Sequence, residues 1–135
     1  VFLQFDGANL VTDVWGDGRK AGRHEGGYAA FRFDVTGLVA PGRIAVLAVR
    51  VDNSNNPDVP PLMGDFTMFG GLHRGVRLLM TAPVHVDALD HGGPGVYVRQ
   101  TRDRADLEIT TPGHQRHGHH AAHAGLTHRP GHLVA

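Results

Sequence analysis

The chain has 135 residues, 13 Lys and Arg against 13 Asp and Glu, 11 histidines and no cysteine. That length suffices for one domain with a real core, and the balanced charge offers no electrostatic case for a nucleic acid or an anionic membrane as partner. The missing thiol excludes disulfides, thiol catalysis and cysteine-containing zinc sites, and no apolar run approaches the ~18 residues of a membrane helix.

Val1-Phe2-Leu3-Gln4-Phe5 is apolar and aromatic, and reads as a strand entered in its middle, so the chain is expected to be N-terminally truncated. Asp6-Gly7 breaks it. Residues 10–15 resume with β-formers, Asp17-Gly18 is a tight-turn dipeptide, and residues 19–24 form the returning arm of a hairpin. After a loop at 25–28, residues 31–35 alternate, with Phe31, Phe33 and Val35 facing a core and Arg32 and Asp34 facing water. Residues 36–42 are too short and too rich in Gly and Pro for more than a single turn. Residues 44–51 are apolar on both faces, which predicts a strand in the middle of a two-layer sandwich. Residues 52–61 form a polar loop rich in Asn and Pro.

Residues 73–80 read as another strand, in which Arg74 shares parity with Val76, Leu78 and Met80. A buried arginine must be paired, so Arg74 is expected to bond carbonyls or a carboxylate within its own loop. Thr81-Ala82-Pro83 resembles a domain boundary, and residues 84–88, 96–98 and 105–110 read as strands of a new domain. Short strands with regular turn signals and no helical periodicity predict an all-β sandwich or barrel.

After Thr110 the composition changes abruptly. Seven of the 11 histidines fall in residues 111–135, and no acidic or aromatic residue follows Glu108. Three readings stand side by side: a metal-binding tract using His117, His119, His120 and His123, a disordered tail, and an out-of-frame translation of GC-rich DNA. Translation of the underlying DNA in the other two frames separates the last from the rest.

Most other motifs are absent. Gly16, Gly18 and Gly22 have the wrong spacing for a dinucleotide fingerprint and lie in a hairpin. Asp52, Ser54, Asn56 and Asp58 alternate like the start of a calcium loop, but Pro57 and Met63 stand where Gly and Glu are needed. There is no nucleophile elbow and no metalloprotease helix. What stands out is Gly64-Asp65-Phe66-Thr67-Met68-Phe69-Gly70-Gly71-Leu72-His73-Arg74-Gly75-Val76. It sets an acid between apolar residues, then a Gly-Gly bend, then an arginine entering a strand. Asp65 is the candidate ligand contact and Arg74 the residue that holds the loop.

Several stretches together resemble a known family. They are Phe5-Asp6-Gly7-Ala8-Asn9, Gly18 through Phe31, Phe33-Asp34-Val35-Thr36, Val49-Arg50-Val51-Asp52-Asn53, and Asp65 through Val76. In this order they resemble the N-terminal sugar-binding domain of glycoside hydrolase family 2, which contains β-galactosidases, β-glucuronidases and β-mannosidases. The likeness covers about residues 1–110. It implies an all-β fold: an incomplete jelly-roll β-sandwich over residues 1–82 and the first strands of an immunoglobulin-like domain over 83–110; composition, not the resemblance, marks 111–135 as a disordered His-rich tail, with the out-of-frame reading beside it. The family's catalytic TIM barrel is absent from the sequence.

The resemblance implies retaining glycoside hydrolysis, in which one carboxylic acid protonates the leaving oxygen and a second, ~5 Å away, attacks the anomeric carbon. No pair in this chain is a candidate, so no catalytic residue is expected here and the chain alone is expected to be inactive. Asp65 matches the aspartate that this domain extends into the barrel's sugar pocket, where a carboxylate accepts from two neighbouring hydroxyls. Asn9 matches the asparagine that galactosidase-type members place in the same pocket. The plainer alternatives are a loop cap for Asp65 and a turn residue for Asn9.

The presence of Asn9 and the short link from Val51 to Asp65 favour the galactosidase type, with β-glucuronidase and β-mannosidase as alternatives. Gly75 and Gly16-Asp17 depart from the family's usual residues. The expected partner is a β-galactoside or related glycoside, with the missing TIM barrel as intramolecular partner. No metal or other cofactor is called for. A stand-alone carbohydrate-binding module is the competing class, though Trp15, the sole tryptophan, lies in a strand rather than on a stacking platform.

Overall fold

The computed structural model describes residues 1–60 and 64–97 in full, and the backbone of 98–100, 107–110, 112–115, 122–123 and 126–127. The chain divides into two compact units, Val1–Met80 and Thr81–Ala135. All of the regular structure in the described residues is strand.

The first unit holds eight strands: β1 (Phe2–Phe5), β2 (Ala8–Asn9), β3 (Val11–Gly16), β4 (Arg19–Glu25), β5 (Phe31–Asp34), β6 (Leu47–Asp52), β7 (Gly71–Leu72) and β8 (Val76–Leu79). They form a sheet in the order β5-β1-β8, a sheet in the order β4-β3-β6, and a short β2-β7 ladder, all antiparallel. The β3–β4 hairpin closes through Asp17 (φ 46°) and Gly18 (φ 78°), the double positive-φ turn that an Asp-Gly pair provides. Asp17 also accepts the Val46 amide through Oδ1 (2.8 Å) and donates its own amide to the Val46 carbonyl (2.9 Å). This tethers the chain just before β6.

The core joins the two sheets. Leu3 and Phe5 from β1, Phe31 from β5, and Val35 meet Val14 from β3, with Ala21, Val49 and Val51 packed against them. The centre is a stack of rings: His24 lies over Phe31 at 3.9 Å, and Phe31 over Phe5 at 4.8 Å. Phe33 meets Phe5 and Phe31 edge-on at 6.3 and 5.6 Å. Because His24 belongs to the β3 sheet and both phenylalanines to the β1 sheet, the stack bridges the two layers. The alternation expected over residues 31–35 holds, with Phe31 and Val35 buried and Asp34 exposed. So does the single turn after it, closed by Leu38 and Val39 amides donating to the Val35 carbonyl.

Two expectations are corrected. Residues 44–51 do not form a buried central strand. The strand starts at Leu47 and pairs with β3 alone, and Ile44 and Val46, which precede it, are 96% and 68% exposed. Likewise β8 pairs with β1 alone, and Val76, Leu78 and Met80 are exposed. In both stretches apolar sequence was read as burial; in β6 Val49 and Val51 pack against the core, while Leu47 and the preceding Ile44 and Val46 stay exposed.

The second unit contains β9 (Val84–Val86), β10 (Tyr97–Gln100), β11 (Leu107–Thr110), β12 (Pro112–Gln115), β13 (Ala122–His123) and β14 (Leu126–Thr127). They pair in the orders β13-β12-β9 and β10-β11-β14. The Tyr97 hydroxyl donates to the Asp90 carboxylate, which holds the phenol above its ordinary range. Of the stretch expected to be a disordered tail, the backbone of three strands is described, and the remainder lies outside the described residues.

Candidate functional site

The β2–β7 ladder sets Asn9 opposite Gly71. Asn9 is 3% exposed, and its Nδ2 donates to the Phe69 carbonyl at 2.9 Å. Its Oδ1 has no partner among the described residues. The Asn9–Leu10 peptide is cis. Asn9 therefore ties β2 to the foot of the loop that carries Asp65, across a sequence separation of 60.

At the same foot Gly71 takes a φ of 91°, a conformation that favours glycine. Gly70 is constrained differently. A Cβ there would lie 2.6 Å from Cγ, 2.8 Å from Nδ2 and 2.9 Å from Oδ1 of Asn53. The Asn53 amide thus rests against Gly70, and a side chain there would require the exposed Asn53 side chain to turn away. Sequence reading found the Gly-Gly bend but not this partner, which comes from the far side of the polar loop.

Asp65 itself is exposed and makes no hydrogen bond or ion pair within the described residues. Exposed Phe66 and Phe69 share its loop. The loop thus offers an unpaired carboxylate, an acceptor with two oxygens, between apolar side chains. Asn9 lines a cleft of about 240 Å³ with Leu10, Asn53, Asn55, Asn56 and Met68, and Asp65 is not among its walls. The two predicted contacts therefore belong to one loop system, Asn9 at its buried root and Asp65 on its exposed arm.

Arg74 departs from expectation. It is exposed, and its Nη1 donates to the Tyr28 carbonyl at 3.0 Å and, at 3.5 Å, to that of Asp6. Its partners are carbonyls, as expected, but they lie in two other loops. The parity argument failed because β8 begins at Val76, so Arg74 is not part of the strand. Around it, Asp6 accepts from Gln4 at 2.6 Å and from Arg77, and these contacts hold its carboxyl below the usual range. The His73 ring meets Tyr28 edge-on at 5.5 Å.

On the outer side of β3, Asp13 is buried and faces Lys20 at 2.8 Å and Arg23 at 3.4 Å. The Lys20 hydrogen bond leads in lowering its pKa. Asp52 accepts from the Ser54 amide (3.0 Å) and hydroxyl and from Arg50 (2.9 Å), which bring its pKa down to about 2. These contacts occupy Asp52 in a turn and an ion pair instead of a cation loop. Among the described residues no group of three or more His, Asp or Glu could hold a metal ion. His117, His119 and His120 lie outside the described residues, and only the backbone of His123 is described. His24, which the sequence did not single out, is half-buried; desolvation pushes it below the usual histidine range against the opposing pull of Glu25.

Residues 1–83 match the profile of the glycosyl hydrolases family 2 sugar-binding domain. The chain belongs to glycosyl hydrolases family 2. It is 43% identical over 100 residues to a β-glucuronidase of Bacteroides fragilis, covering 74% of this chain and 14% of that protein. It is 35% identical over 89 residues to a β-galactosidase of Thermoanaerobacter pseudethanolicus, covering 64% of this chain and 12% of that protein. A solved β-glucuronidase of Bacteroides uniformis superposes with a TM-score of 0.76 at 31% identity, over 83% of this chain and 14% of its own. This family-2 chain thus spans about one seventh of the length of such relatives (14%), and the matched part is the N-terminal sugar-binding domain of glycoside hydrolases.

Proposed function

We propose that this domain supplies one wall of the sugar pocket of a retaining β-glycosidase, with Asp65 as the residue that accepts hydrogen bonds from sugar hydroxyls. The observation that carries this reading is the unpaired, exposed carboxylate of Asp65 on a loop whose foot is fixed by Asn9. A free carboxylate accepts from two adjacent hydroxyls without first breaking an internal contact. Arg74 is the structural residue that keeps the neighbouring loops in place, through its bonds to the Tyr28 and Asp6 carbonyls. Asn9 acts at the root, where its amide completes the pocket floor. The acid and nucleophile come from a catalytic barrel in the same polypeptide, which Asp65 reaches into.

Two glycosides fit. The 43% identical relative is named a β-glucuronidase, which favours a β-glucuronoside. Asn9 and the short connection from Val51 to Asp65 favour a β-galactoside, and a 35% identical relative carries that name. A direct test is NMR titration of the 135-residue chain with methyl β-D-glucuronide and methyl β-D-galactoside, comparing wild type with Asp65→Asn. One wall of a pocket should bind weakly, with a Kd on the order of 10 mM. The expected result is saturable shifts for one sugar that Asp65→Asn removes. Identical titration curves for the two proteins would reject Asp65 as the contact.

A further inference from the structure

We propose that Asn9 is a positioning residue: its amide holds the Asp65 loop by the Phe69 carbonyl and does not itself touch the sugar. This differs from the direct contact that the family likeness implies, and it makes the part of Asn9 in the pocket floor one of support. As a claim about sugar binding it rests on the reading of Asp65 above; as a claim about the loop it stands on geometry alone.

Neither end of the side chain is offered to a ligand. Its Nδ2 donates to the Phe69 carbonyl at 2.9 Å, and that bond fixes which end of the amide is nitrogen. Its Oδ1 is enclosed and has no partner among the described residues. Asn9 borders the cleft of about 240 Å³ beside it, yet the residue is buried and its amide oxygen is not open to that space. A hydroxyl must come within about 3 Å of an acceptor to donate to it, and an enclosed oxygen admits no such approach.

The loop has little else to hold it. Among the described residues, the bond from Asn9 is the one hydrogen bond made by residues 64–70. The next anchor along the chain is the β2–β7 ladder at Gly71. Asp65 lies four positions before Phe69, so the Asn9 bond is the first hydrogen-bonded point that follows the carboxylate. Asn9 is itself well fixed. Its backbone pairs with β7, and Ala8 beside it is fully buried. On its other side the Leu10 amide donates to the Asp52 carbonyl at 3.2 Å, and the Leu10 carbonyl accepts from Gly26 at 3.1 Å. Three segments therefore anchor the backbone from which the amide projects. One bond from a fixed base to a sparsely held loop narrows the range of its carboxylate, which cuts the ordering cost of binding.

The test is an isosteric swap in the 135-residue chain, Asn9→Asp, beside Asn9→Ala. Amide chemical shifts of Asp65 to Gly71 report the loop without any ligand, thermal unfolding reports the fold, and titration with the two methyl glycosides reports the site. Asn9→Asp keeps an acceptor in place of Oδ1 and loses the donor, so the ionised carboxylate sets lone pairs against those of the Phe69 carbonyl. The loop amides should be displaced at ~pH 8 and return toward wild type at ~pH 5, because burial raises the pKa of the introduced carboxyl and the protonated acid donates again. Asn9→Ala should displace them at both pH values. Both variants should weaken Asp65-dependent sugar binding at ~pH 8 by about fivefold, the affinity that one net hydrogen bond carries. Wild-type loop shifts in Asn9→Ala, or a loop in folded Asn9→Asp that acid does not restore, would overturn the proposal. So would a wild-type loop with sugar binding lost, which makes Asn9 a contact. If Asn9→Asp does not fold when ionised, Asn9→Ala, which buries no charge, decides the matter by the same loop and sugar readings. If wild type binds neither sugar yet the loop follows this pattern, the positioning role stands and the sugar-contact reading falls. If the Asn9 variants leave the loop in place while Asp65→Asn still removes binding, the positioning role falls and the sugar contact stands.

Discussion

Phe31 offers the sharpest test of how the two sheets are held together. Its ring is 5% exposed and lies between His24 at 3.9 Å and Phe5 at 4.8 Å, with Phe33 edge-on at 5.6 Å. Truncation to alanine removes a buried ring and leaves a cavity, which costs about 3–5 kcal/mol. Phe31→Leu restores most of the volume and removes the ring contacts. Each aromatic pair is worth about 0.5–1.5 kcal/mol beyond burial and the three are not additive, so about 1–2 kcal/mol is expected for the leucine variant. The assay is urea unfolding followed by the fluorescence of Trp15, which lies on β3, in the opposite sheet from Phe31. A loss of 3 kcal/mol corresponds to a drop in Tm of roughly 12 °C or more for a unit of this size. If Phe31→Ala costs less than about 1 kcal/mol, the ring does not join the sheets and the core described above is wrong. Equal losses for the alanine and leucine variants would locate the energy in ring–ring contact alone, against the cavity argument.

Other outcomes follow from the charges and the surface. His24 has a folded pKa below its unfolded value near 6.5, so the unfolded chain binds more protons under acid conditions. Its contribution is complete above that value and is lost as pH falls below it; His24→Gln should flatten the stability slope under about pH 6.5, and an unchanged slope would assign it to other groups. Asp13 and Asp52 are held below 3.8, Asp52 to about 2, so their contribution is present above the unfolded value and is lost as pH falls through the folded one. Acid titration by circular dichroism should show Asp52→Asn losing its share of the stability change between pH 4 and about 2. Leu78 is 59% exposed on a strand with one open edge, so Leu78→Lys should lower aggregation in light scattering without lowering Tm. A fall in Tm of several degrees would mean that this face is packed.

The sequence made the local elements legible and the neighbours much less so. The β3–β4 hairpin could be read because Asp17-Gly18 has one physical use between two β-rich runs, and β5 because strict alternation has one period. Burial of β6 and β8 could not be read. Apolar residues describe what a strand is able to bury, whereas exposure depends on whether another layer packs over that face. Arg74 shows the same limit on a smaller scale: its parity with Val76 carries no meaning once the strand starts at Val76. Asp65 was given its sugar contact through family likeness alone, since an acid among apolar loop residues has several uses on its own, and that contact is the proposal tested below. Asn53 was invisible because its partner Gly70 is 17 positions away and the contact is steric, with no pairing of residue types to betray it. His24 was hidden among histidines that are mostly in the tail; a histidine at an inward position of a strand, opposite the buried Thr12, was the available signal.

The central claim is that this chain carries a sugar contact and leaves the bond-breaking chemistry to a catalytic barrel. The most direct measurement is hydrolysis of nitrophenyl β-glucuronide and nitrophenyl β-galactoside by the purified 135-residue chain beside a mock-purified control. The account predicts release at the control rate for both substrates, because the acid and nucleophile are proposed to come from the catalytic barrel. Turnover above the control that is lost in Asp65→Asn would contradict it, and would make Asp65 a catalytic residue.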